Sequence, residues 1–82
     1  MLELFEIPQY TSQSEAEIFN KICEEMQEVA NELTREPRNE KLLLGEVADL
    51  LQVCHTLAKK LKFDDEEITD SLRVKFSDRK LI

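Results

Sequence analysis

The chain has 82 residues, 41% of them hydrophobic and 35% charged, and its 11 Lys and Arg against 18 Asp and Glu give a net charge of −7. That balance excludes a general nucleic-acid binder, which carries a basic face, and no run approaches the roughly 20 apolar residues of a membrane span. One Gly and two Pro are too little punctuation for a many-turned β-fold, and no basic stretch leads into an apolar segment at the N-terminus, so a small, acidic, cytoplasmic domain is expected.

Residues 1–13 read as an arm, apolar at Leu2, Leu4, Phe5, Ile7 and Tyr10, interrupted by Pro8 and without a helical period. Residues 14–82 form a single helical domain. Its first helix starts at Ser14, because Ser14 and Glu17 have capping-box spacing. Phe19, Ile22, Met26, Val29 and Leu33 then alternate steps of three and four, an amphipathic period. Pro37 biases Glu36 away from helical angles and ends the helix near it. Asn39 is a fair N-cap for the second helix.

That second helix carries Leu43, Val47, Leu50, Cys54, Leu57 and Leu61 on one stripe, widened by Leu42, Leu51, Val53 and Ala58. An arc this broad suits a central helix with neighbours on two sides. Asp64 and Glu67 repeat the capping spacing and open a third helix with Ile68, Leu72 and Phe76 at i, i+4 and i+8. Together these elements predict an all-α fold, a small bundle of three main helices with an N-terminal arm. A domain so short buries only about 60% of its unfolded surface, so oligomerisation is expected to complete the core. Cys23 and Cys54 lie inside the apolar patterns and are expected to be small core residues.

The charges break the pattern. Glu46 projects inside the apolar arc of the second helix, among Leu42, Leu43, Leu50 and Val53, and Asp49 flanks the same stripe. Glu25 borders the stripe of the first helix, Glu28 and Glu32 continue that edge, and Glu24 points further out. A short link makes the two helices antiparallel, so Glu25 and Glu28 can face Glu46 and Asp49. Four carboxylates around one spot repel, and a divalent cation resolves the repulsion. Hard oxygen ligands without His or Cys favour Mg²⁺, Mn²⁺ or Ca²⁺ over zinc. The plainer alternatives are a solvated Glu-rich face and, for Glu46, a buried Glu–Lys pair.

On the third helix Lys75 and Arg79 are an i, i+4 pair on the side of Ile68 and Leu72, placed to pair with carboxylates or to clamp phosphate oxygens. His55 lies off the stripe with no His or Cys at ligand spacing and reads as a surface residue. Gly45 lies one turn before Asp49, where a missing side chain admits a ligand or a helix. Tyr10, Phe19 and Phe76 are the aromatic positions from which a base pocket could be drawn.

The run Glu24-Glu25-Met26-Gln27-Glu28, followed after a spacer by Glu46-Val47-Ala48-Asp49, resembles the EExxE…ExxD signature of MazG-like nucleotide pyrophosphohydrolases. These belong to the all-α NTP pyrophosphatase superfamily, which includes phosphoribosyl-ATP pyrophosphohydrolase-like members. The resemblance continues through Asp49-Leu50-Leu51-Gln52-Val53 and Leu57-Ala58-Lys59-Lys60-Leu61 to Arg73-Val74-Lys75 and Asp78-Arg79. It implies Mg²⁺-dependent cleavage of a nucleoside triphosphate between the α and β phosphates, giving a monophosphate and pyrophosphate, with Mn²⁺ as a possible substitute. It further implies that Glu25, Glu28, Glu46 and Asp49 are catalytic metal ligands, with Glu24 at the first motif position, and that Lys75 and Arg79 contact substrate phosphates. A homodimer or homotetramer with a four-helix core is implied as well, with no nucleic-acid or membrane partner. Against this stands a non-catalytic helical interaction module of the same fold, its apolar stripes serving only dimerisation.

Overall fold

The computed structural model describes residues 2–79, apart from the side chains of Thr11, Asp78 and Arg79. Its described residues form four helices, α1 (Pro8–Thr11), α2 (Glu15–Leu33), α3 (Glu40–Lys60) and α4 (Asp65–Arg79). The fold is all-α, and α2, α3 and α4 are the three main helices expected. None of them is long and apolar enough to cross a membrane.

Local chemistry sets each start. The Ser14 hydroxyl accepts from the Glu17 N–H at 3.1 Å, and Glu17 Oε1 accepts from the Ser14 N–H at 3.0 Å, a closed capping box. Asn39 Oδ1 accepts from the N–H groups of Lys41 and Leu42 at 3.0 and 3.1 Å. Asp64 and Glu67 cap α4 reciprocally, at 2.7 and 3.1 Å. The ends are less regular. α2 stops at Leu33, short of Glu36, because Thr34 closes it, its hydroxyl donating to the Ala30 carbonyl at 2.9 Å. α3 ends in a Schellman arrangement, in which Phe63 N–H bonds Ala58 O and Lys62 N–H bonds Lys59 O. Lys62 occupies the left-handed position there, at φ 65°, where glycine is the usual residue.

The arm differs from its sequence reading in one place. Pro8 does not merely interrupt it but starts the single turn of α1, since its fixed φ suits a first helical position. The arm docks on α3 through its main chain. Phe5 N–H donates to Gln52 Oε1 at 2.8 Å, and Gln52 Nε2 donates back to the Phe5 carbonyl. Tyr10 lines a cavity of about 440 Å³ with Phe5, Thr56 and Lys59.

Packing within the chain is carried by α2 against α3, with α1 on α3, while α4 has no comparable contact. The core is correspondingly small. Ile18 and Ile22 of α2 meet Val53 of α3, with Leu50 and Leu57 packed alongside. Each apolar stripe is split lengthwise by this geometry. One edge enters the α2–α3 seam, and the other leaves Phe19, Met26, Val47 and Leu51 exposed. α4 likewise exposes Leu72, Val74 and Phe76.

Two expectations are corrected by the packing. Cys23 and Cys54 are free and exposed rather than core residues, because they lie on edges that none of the described elements covers. His55 is not a surface residue. Its side chain is 11% exposed, with Nε2 3.4 Å from Asp65 Oδ1 at the start of α4, and Lys59 Nζ meets the same oxygen at 3.1 Å. Asp65 thus ties the first turn of α4 to the last turns of α3. A substituent at Gly45 would meet open space, so this position borders the uncovered face.

Candidate metal centre

The antiparallel register of α2 and α3 follows from their pairing, with Ile18 and Ile22 beside Val53 at one end of the seam. Moving along it, the apolar contacts give way to carboxylates. Glu25 and Glu28, three residues apart on α2, converge with Glu46 from α3. One oxygen of each lies within 4.8 Å of the others. Glu25 is 5% exposed despite its charge, Glu46 is half-buried and Glu28 is exposed.

The electrostatics match the crowding. Glu46 has its pKa pushed up to about 7, first by a hydrogen bond with the Glu28 carboxylate, then by burial and by the charges of Glu28, Asp49 and Glu25. A carboxyl held protonated by its neighbours marks a site carrying more negative charge than its surroundings can solvate. Glu25 Oε2 and Glu46 Oε2 are moreover buried with no hydrogen-bond partner. Buried polar atoms are normally paired, so two orphaned carboxylate oxygens in one cluster fit an added donor or cation. An all-oxygen set of this kind suits a hard divalent ion.

Of the residues singled out in the sequence, Glu25, Glu28 and Glu46 come together. Asp49 does not join the three-oxygen cluster, although its charge is felt at Glu46. It is exposed one turn along α3. Glu24 points outward, 65% exposed, toward Lys21. Lys75 lies on α4 in a groove with Phe63, Ile68 and Leu72, and no α4 cation among the described residues pairs with the cluster. The Arg79 side chain lies outside what the structure describes. Among the aromatic positions considered for a base pocket, Tyr10 lines the arm cavity, while Phe19 and Phe76 are exposed.

Two neighbours of the cluster stand out, Lys21, whose contact the sequence reading missed, and Glu32, which it placed on the same edge. Lys21 Nζ lies 3.1 Å from Glu25 Oε1 and 3.5 Å from Glu24 Oε2, and these carboxylates raise its pKa, Glu25 most. The i, i+4 spacing to Glu25 was the available signal. Glu32, one turn beyond Glu28, pairs with Arg35 at 3.0 Å through one oxygen and keeps the other buried without a partner.

Comparison with known families finds that the sequence profile of the MazG nucleotide pyrophosphohydrolase domain matches residues 13–81. No curated protein and no solved structure matches the chain.

Proposed function

This chain belongs to the MazG nucleotide pyrophosphohydrolase domain family, and on that premise we propose that it is a Mg²⁺-dependent nucleoside triphosphate pyrophosphohydrolase. The reaction consumes one water and breaks the bond between the α and β phosphates, releasing a nucleoside monophosphate and pyrophosphate. The observation that carries this reading is the convergence of Glu25, Glu28 and Glu46 with two buried, unpartnered oxygens.

In this reading Glu25, Glu28 and Glu46 hold the cation, with Asp49 completing the set from the next turn of α3. When bound there, Mg²⁺ (or Mn²⁺) neutralises phosphate charge and makes water a better nucleophile. The α2–α3 seam brings Glu25 and Glu46 together in the folded chain, so their repulsion is met on folding, before substrate arrives, rather than during reaction. Positive charge for the phosphate chain comes from Lys75 and Arg79 on α4. Burying the exposed stripes of α2, α3 and α4 calls for further copies of the chain, and a homodimer or homotetramer supplies them.

The test is pyrophosphate release from a panel of NTPs and dNTPs, with Mg²⁺ and with EDTA. Mg²⁺-dependent release of pyrophosphate and the matching monophosphate is expected. Release that is indifferent to EDTA overturns the metal assignment. A second reading, a non-catalytic helical interaction module, is favoured by the exposed Phe19, Met26 and Leu44. It predicts no release and no change in melting temperature with Mg²⁺.

A further inference from the structure

Resting on the reading that Glu25, Glu28 and Glu46 hold a divalent cation, we infer that Lys21 is a positioning residue that fixes Glu25 as a one-oxygen ligand and thereby sets which cation the site prefers. The two oxygens of Glu25 have different fates. Oε1 is taken by Lys21 Nζ at 3.1 Å, whereas Oε2 is buried with no partner. The Glu25 side chain is 6% exposed against 34% for Lys21, so the ammonium meets Oε1 from the more exposed side and leaves the buried Oε2 free to accept a cation. Glu24 Oε2, at 3.5 Å, braces the ammonium from outside. That contact gives Glu24 a part it lacks as a ligand.

This pair is not simply helix reinforcement. At i, i+4 the better order puts Glu before Lys, and here Lys21 precedes Glu25. A cation beside a metal ligand also opposes metal binding by Coulomb repulsion. Its use lies in what it prevents. Ca²⁺ accepts carboxylates through one oxygen or both in a loose, larger shell and gains from the second, while Mg²⁺ demands near-octahedral geometry. Mn²⁺, which shares the preference for octahedral oxygen ligands, serves as the observable probe. With Oε1 engaged, Glu25 offers a single oxygen, which suits the smaller cations. Without Lys21 both oxygens become available and Ca²⁺ gains.

The two effects separate cleanly. Repulsion from Lys21 weakens all divalent cations by a common factor, whereas positioning changes their ratio. Mn²⁺ binding to the metal-free protein is followed by electron paramagnetic resonance of the free ion, and Ca²⁺ affinity by competition, for the wild type, Lys21→Met and Lys21→Arg. Circular dichroism checks the fold of each variant. The preference for Mn²⁺ over Ca²⁺ is expected to fall about tenfold in Lys21→Met and to stay near wild type in Lys21→Arg, which keeps a donor on Oε1. Equal changes in both affinities, or none, would leave Lys21 as a charge only and overturn the inference while the metal site stands. A wild type that binds neither ion overturns the metal reading itself, and this inference with it.

Discussion

The α2–α3 seam and α4 are built on opposite plans. The seam holds the buried core, Ile18, Ile22 and Val53, and next to it the crowded carboxylates of Glu25, Glu28 and Glu46. Every one of those side chains is placed by contacts within the chain. α4 carries exposed apolar residues and the cation Lys75, and its described ties to the rest run through Asp65 at its first turn. The seam therefore brings its carboxylates together within one chain, whereas the exposed apolar side of α4 is left uncovered among the described residues. In the proposed reading, ligand chemistry belongs to the single chain and phosphate chemistry to its assembly.

The sharpest way to break that division is Glu46→Gln. Removing this carboxylate should lower pyrophosphate release by at least about a hundredfold. The metal-free protein should melt at the same or a higher temperature, because a repelling charge is gone. Full activity in this variant would remove Glu46 from the metal site. Leu72→Asp tests the other half. A charge on the α4 apolar side should shift the protein to smaller species in light scattering and reduce turnover, with Mn²⁺ affinity of the seam retained. A parallel loss of Mn²⁺ binding would mean that seam and α4 are one unit.

A pH series tests the electrostatics of the seam alone. The Glu46 carboxyl, ordinarily at 4.5, is pushed up to about 7 in the folded chain by its neighbours. Between those values the folded state binds more protons, so stability of the metal-free protein falls as pH rises through that window. Melting in EDTA at pH 5 and at pH 8 should show the drop, Mg²⁺ should reverse it at the higher pH, and Glu46→Gln should flatten it. The smallest effect lies at the junction of the two regions. Lys62→Gly relieves a left-handed side chain and should add about 0.5–1 kcal/mol, read as a higher midpoint in denaturant.

Local signals survived the passage from sequence to structure well. The caps at Ser14, Asn39 and Asp64 are read from three or four adjacent residues and appear where expected, because nothing distant competes with them. The placement of Glu46 among leucines was legible for a related reason, since helical periodicity fixes direction. What periodicity cannot fix is the neighbour. It gave α2 and α3 broad stripes without telling which edge faces the seam, so Cys23 and Cys54 turned out exposed. His55 was misread because its environment depends on where α4 begins, a tertiary fact. Asp49 lies one turn from Glu46 yet stands outside the cluster, although the same one-turn spacing brings both Glu25 and Glu28 into it, so spacing alone does not decide which carboxylates meet across the seam. Lys21 was visible as a spacing, but only burial of Glu25 turned that spacing into a brace.

The clasp between the arm and α3 bears on how this molecule can diverge. Gln52 offers the backbone of Phe5 one acceptor and one donor, the same pair a neighbouring β-strand would present. Because only main-chain atoms are read there, residue 5 can be any residue but proline, which lacks the N–H, while the docking persists. Position 52 has no such freedom. Glu lacks the donor, Lys lacks the acceptor, and Asn is a methylene too short. Lineages could thus vary the arm, and with it the lining of the Tyr10 cavity, without rebuilding the helices beneath.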